Sequence, residues 1–247
     1  MSKGTAEYRI GTSGYQYDHW RGILYEGNLP KKDWFSQYAE VFDTVEINNT
    51  FYSLPQGKTF DCWWEQAPQG FLYALKFSRY GSHLKRLKDP SDTIGKFVER
   101  ASRLGSSLGP ILVQLPPNWH ADPERLATFL EAASNEYRWA VEFRDTDWLK
   151  KEVFDILKSH NTALCIHDMI DHHPVEVTAH WIYLRFHGEH YGGSYSHQRL
   201  TSEAERIDDW LRAGLDVFAY FNNDAHGYAV DNARDLKRYV EKRRNGG

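Results

Sequence analysis

Short apolar runs alternate along the chain with segments whose apolar residues recur at helical spacing. The runs Tyr8–Thr12, Thr44–Asn48, Leu72–Ser78, Ile111–Leu115, Trp139–Arg144, Ala163–His167, Trp181–His187 and Val217–Asn222 read as strands. Their starts lie roughly 20 to 40 residues apart, the spacing of βα units joined by right-handed crossovers. Between them, Phe97, Ala101, Leu104 and Leu108 fall on one helical face, as do Leu126, Phe129, Leu130 and Ala133. A last helix carries Ala229, Ala233, Leu236 and Val240. Asp122 before Pro123 predicts an N-cap with proline in the first helical position, and Ser202 with Glu205 predicts a capping box. Only Asp168 to His180 separate the sixth and seventh strands, including His172-His173-Pro174, so a loop or single turn is expected where a helix would otherwise stand.

This alternation predicts a (β/α)8 TIM barrel, with residues 1–247 as a single domain, and the 247 residues match the ~250 typical of that fold. The rival architecture is an open, doubly wound sheet. No glycine-rich dinucleotide fingerprint follows the first strand to support it.

Inside the strands a second, shorter period is written. Strands of a parallel sheet buried on both faces tend to be continuously apolar. Here Val45 and Ile47 alternate with Glu46 and Asn48; Tyr73, Leu75 and Phe77 with Lys76; Val113 and Leu115 with Gln114; Val141 and Phe143 with Glu142 and Arg144. His167 ends the sixth strand, Arg185 and His187 interleave with Leu184 and Phe186, and Asn222 ends the eighth. If the apolar set packs on the outer helices, the polar set faces the lumen. Most of it lies in the second half of each strand, the catalytic side in characterised enzymes of this fold. Charges are rarely buried without partners, so an internal ion-pair network and a ligand site are the two explanations to weigh.

Composition narrows the classes of partner. The net charge of −4 does not indicate nucleic acid, although a local basic pocket is allowed. Met1 to Arg9 is polar and short, so no signal peptide is expected; no apolar run approaches membrane length, and a cytoplasmic setting follows. Cys62 and Cys165 are isolated in apolar contexts and are expected to be buried free thiols. The oligomeric state is left open.

Seven stretches carry a family resemblance: IGTSGY from Ile10 with the later Trp20 and Tyr25, VEINNTFY from Val45 to Tyr52, ALKFS around Lys76, VQLPPNW from Val113, VEFRDTDW from Val141, LRFHG from Leu184, and YFNNDAHGYAVDNA from Tyr220. In that order, from Arg9 to about Tyr239, the chain resembles the YecE-like family, a domain of unknown function. The resemblance implies a TIM barrel and brings no activity, substrate or cofactor with it.

Function is therefore argued from the residues. An acid–base enzyme working without a metal on a small anionic substrate, phosphate-bearing ones included, would use Glu46, Glu142, His187 and Lys76 as its catalytic groups. Its ligand-binding set would be Asn48, Tyr52, Gln114, Arg144, His167, Arg185, Gly188, Tyr195, Asn222 and Asn223. The glycine-rich loop His187 to Ser194 and the loop Asn223 to Gly227 occupy the places where phosphate commonly binds in this fold. The glycines serve turn geometry equally well. A metal-dependent hydrolase, isomerase or nuclease would draw on Glu46, Glu142, His167, Asp168, His187 and Asp224, against which Lys76 and Arg144 would repel a cation. A binding protein without turnover would use Trp20, Tyr25, Phe51, Tyr52, Trp119, Trp148 and Tyr195 as an aromatic rim for a base or sugar. No cofactor is required by the sequence.

Overall fold

The structure, a computed structural model, describes residues 5–189 and 192–246. Eight parallel strands close into a barrel in the order β1 to β8: Tyr8–Ser13, Thr44–Ile47, Leu72–Lys76, Leu108–Gln114, Trp139–Glu142, Ala163–His167, Trp181–Phe186 and Asp216–Phe221. Helices α1 (Trp34–Ala39), α2 (Asn49–Tyr52), α3 (Gly57–Gln66), α4 (Pro90–Ala101), α5 (Pro123–Ala132), α6 (Lys151–Ser159), α7 (His197–Arg212) and α8 (Tyr228–Asn245) accompany them. No helix lies between β6 and β7, as the short Asp168–His180 interval predicts. Among the described residues, no helix is long and apolar enough to cross a membrane.

The chain divides into two compact units, Met1–Val45 with His180–Gly247, and Glu46–Ala179. In the second, β3, β4, β5 and β6 are hydrogen-bonded in sequence, with Gln114 in register with Glu142. Phe77 sets the packing behind them. Its ring meets Phe97 of α4 at 5.1 Å, Phe129 of α5 at 5.6 Å and Trp139 of β5 at 6.0 Å. Burying a ring of this size stabilises by about 1.5–3 kcal/mol. Because side chains alternate along a strand, seating Phe77 against the helices turns Lys76 to the opposite face. Asp122 caps α5 as predicted, its Oδ1 accepting from the Arg125 N–H at 3.1 Å.

In the first unit, β1 pairs with β8 and β8 with β7. Gly11 is required where β1 runs past Thr44, since a Cβ there would stand 2.3 Å from the Thr44 carbonyl oxygen. The buried Tyr38 hydroxyl accepts from the Thr12 N–H and donates to that same carbonyl at 2.9 Å. Ala229, Ala233, Leu236 and Val240 of α8 are all buried, as their spacing predicts.

Four expectations are corrected. Leu104 and Leu108 do not continue the helix of Phe97 and Ala101: α4 stops, a 3-10 turn runs over Ser102–Ser107 with Gly105 at φ 51°, and Leu108 opens β4. Gly109 and Pro110 hide that strand start, because both residue types are ordinarily depleted in strands. Glycine fits because a Cβ would stand 3.0 Å from the Tyr73 carbonyl oxygen. The capping box at Ser202 is absent. The cap is Ser196, whose Oγ accepts from the Arg199 N–H, so Ser202 lies inside α7 and Glu205 pairs with Arg243. Cys62 is exposed while Cys165 is buried, because Phe60 and Trp63 take the inward positions of α3. Finally, Asn48, Ser78, Leu115, Arg144, His187 and Asn222 stand just past their strands, with Asn48 opening the short α2.

Candidate functional site

The expected polar residues do gather at the C-terminal ends of their strands. Lys76, Gln114, Glu142 and His167 are the last residues of β3, β4, β5 and β6, and Glu46 and Arg185 are next to last in β2 and β7. Glu46, Lys76, Glu142, His167, Arg185 and His187 are buried; Asn48, Gln114, Arg144 and Asn222 are half-buried. Their chemistry differs between the two units.

In the second unit, Glu142 is wholly enclosed. The Arg144 guanidinium donates to its Oε1 through Nε, and the Cys165 thiol donates toward Oε2 at 3.7 Å. Arg144 also points Nη1 at the Met169 sulfur. A buried carboxylate tolerates enclosure when a charge-assisted contact of this kind replaces its water. His167 is oriented by the backbone: its Nε2–H donates to the Phe143 carbonyl at 2.8 Å, and its Nδ1 accepts from the Met169 N–H at 3.2 Å. Burial pushes its pKa down to about 4, which agrees with a neutral ring of that tautomer.

Lys76 lies 4.3 Å above the Phe51 ring, and the His83 imidazole meets the same ring edge-on at 4.9 Å. Thr50 ties α2 to β3 by donating to the Lys76 carbonyl at 2.7 Å. His83 belongs to a π-helical turn, Tyr80–Leu84, that directly follows β3. Its Nδ1 is 3.0 Å from the Ser82 Oγ. Burial, and then the charges of Lys76, Arg79 and Arg144 against the opposing Glu142, lower its pKa to about 4. Three cations and one carboxylate thus act on a neutral imidazole. His83 and Arg79 escaped sequence reading because they follow β3 in a turn with no strand period, although they adjoin the ALKFS stretch.

In the first unit, Arg185 donates from Nη2 to the Ser13 hydroxyl at 3.2 Å and places Nη1 3.4 Å from His187 Nε2. The glycine-rich loop after β7 is largely occupied with its own bonding. The Gly188 N–H, at φ 100°, donates to the Tyr195 hydroxyl at 2.6 Å, and the Gly193 N–H to the Glu189 carbonyl at 2.9 Å. Asn223 donates to the Gly193 carbonyl at 3.0 Å and to Asn232 Oδ1 at 2.9 Å, which also accepts from the Tyr195 N–H. Of that loop, His190 and Tyr191 lie outside the described residues. Asp224 accepts from the Trp20 indole at 2.6 Å and lies 3.1 Å from His19 Nε2; burial raises its pKa.

Among the described residues, no group of three or more His, Cys, Asp or Glu side chains is gathered closely enough to hold a metal ion. Of the seven rim aromatics, Trp20, Tyr25, Phe51, Trp119, Trp148 and Tyr195 are buried, the last serving Gly188, and Tyr52 alone among them stands in solvent.

The fold and these strand-end residues define an α/β barrel with ionisable groups at the C-terminal ends of its strands. The chain belongs to the family described as protein of unknown function DUF72, which it matches over residues 9–246. It is 31% identical over 118 residues to the UPF0759 protein YecE of Escherichia coli, a match spanning 47% of this chain and 43% of that protein. The UPF0759 protein YunF of Bacillus subtilis is 21% identical over 94% of both chains. A DUF72 family protein of Thermotoga maritima superposes with a TM-score of 0.83 at 25% identity, covering 95% of this chain and 99% of its own.

Proposed function

We propose that this protein is a cytoplasmic, metal-independent acid–base enzyme acting on a small anionic substrate, of which phosphate esters are the first class to examine. The observation that carries this reading is the grouping of basic and acidic side chains at the C-terminal ends of β3 and β5: Lys76 over the Phe51 ring with His83 at its edge, and Arg144 on the enclosed Glu142. Lysine and arginine side chains so placed favour an incoming dianion, and the half-buried setting strengthens the attraction relative to open water. Lys76 and Arg144 hold the anion; Glu142 and Glu46 are the acid–base carboxylates. Burial first and the cations second keep His83 neutral; a bound anion offsets the cationic part, so its proton affinity rises on binding. The free thiols, Cys165 buried among them, fit a reducing compartment. In the first unit, Arg185 and His187 form a further basic pair.

The test is titration with inorganic phosphate, followed by calorimetry in two buffers of different ionisation enthalpy. Saturable binding, weakened at least tenfold by Lys76→Met and accompanied by proton uptake between pH 6.5 and 4, is the expected result. A wild-type protein that binds no phosphate up to tens of millimolar, or binds it equally well after Lys76→Met, refutes the proposal.

A further inference from the structure

The cation cluster of the second unit has an apolar neighbour in open solvent. Tyr52 is 76% exposed, Leu84 63% and Tyr80 50%. Exposed apolar side chains scattered singly need no explanation. Tyr52 is attached to the cluster by a ring contact, and Tyr80 and Leu84 by the turn they share with His83. The Tyr52 ring meets Phe51 edge-on at 5.1 Å, and Phe51 carries Lys76 on its face and His83 at its edge. Tyr80 and Leu84 bound the π-helical turn that contains His83. Turns of that class are uncommon and concentrate at functional sites.

A tyrosine so exposed, supported from behind by a ring that itself backs the lysine, is placed to stack on a flat group. We propose that the anion taken by this site carries a planar aromatic or heteroaromatic ring, which stacks on Tyr52 while its acid group is held by Lys76 and Arg144. Tyr80 and Leu84 supply apolar contact at the edge of that ring. The inference rests on the anion-binding reading above and adds the chemical class of the substrate.

Methylphosphonate and phenylphosphonate carry the same acid group, cannot be hydrolysed as esters, and differ in the ring alone. The Kd of each is measured by NMR titration at fixed ionic strength for the wild type, Tyr52→Phe and Tyr52→Ala. Phenylphosphonate is expected to bind about tenfold tighter, the gain of one stacked ring. Tyr52→Phe should keep that ratio and Tyr52→Ala should abolish it. Tyr52 is exposed, so neither variant threatens folding. Equal affinity for the two phosphonates in the wild type, or a ratio that survives Tyr52→Ala, overturns the stacking inference and leaves anion binding standing. Failure of both phosphonates to bind overturns the anion reading itself.

Discussion

The ends of β3, β5 and β6 in one unit and of β7 and β8 in the other carry similar residues and use them differently. At β7 and β8, polar groups bond to one another and to backbone: Tyr195 and Asn223 bond to Gly188 and Gly193 of the loop that leaves β7, and Asn232 to both Tyr195 and Asn223. At β3 and β5, Lys76, Arg79, Arg144 and Glu142 all act on His83, and Phe51, which His83 meets edge-on, carries the exposed Tyr52 beside it. Buried polarity alone therefore does not mark a binding site. The distinction lies in whether donors and acceptors are consumed by backbone and loop bonding, as at Gly188, or are ionisable groups gathered around a titratable ring, as at His83.

Substitutions at each end test that distinction. The largest loss is expected from Arg144→Ala, which takes the guanidinium from the enclosed Glu142 carboxylate and should cost about 3–5 kcal/mol in urea denaturation. Pairing Arg144→Met with Glu142→Gln should restore much of it, since neither residue is then charged. Next comes pH. His167 has a folded pKa of about 4 against 6.5 unfolded, so its contribution is complete above pH 6.5 and is lost as pH falls toward 4. That amounts to about 3 kcal/mol, read as a shallower acid loss of stability in His167→Gln, whose amide keeps the bond to Phe143. Asn232→Ala removes the clamp on the β7 loop and should cost about 2 kcal/mol, with phosphate binding by the other unit retained. Smallest of all, Cys62 should react with a thiol reagent in the native state at no cost in stability. Cys165 should react only on unfolding, and fast labelling of it would show the Glu142 enclosure to be open.

Much of this was legible in the sequence. Period-two alternation marked Glu46, Lys76, Glu142 and Arg185 as buried polar residues, because a strand imposes that period on any sequence it accepts. The turns carried no such rule. His83 acquires its character from charges on β3 and β5, contacts remote in sequence, and Ser196 lacks the acidic partner that advertises a cap. The aromatic residues were legible only in part for a related reason: packing under the loops is the expected role of each ring taken singly, and six of the seven are buried, but which ring lies outside is decided by packing. Tyr52 and its neighbour Phe51 divide on that point, at 76% and 7% exposed.

The stretch between β6 and β7 gives the barrel something its other crossovers lack. The Thr178 hydroxyl accepts from the Leu164 N–H and donates to the Thr162 carbonyl, pinning the far end of the segment to the start of β6. Asp171 and His172, ahead of it, are exposed. Chain inserted there would displace no helix, which makes this the natural point for descendants of the sequence to acquire an extra module, or for an engineer to graft one.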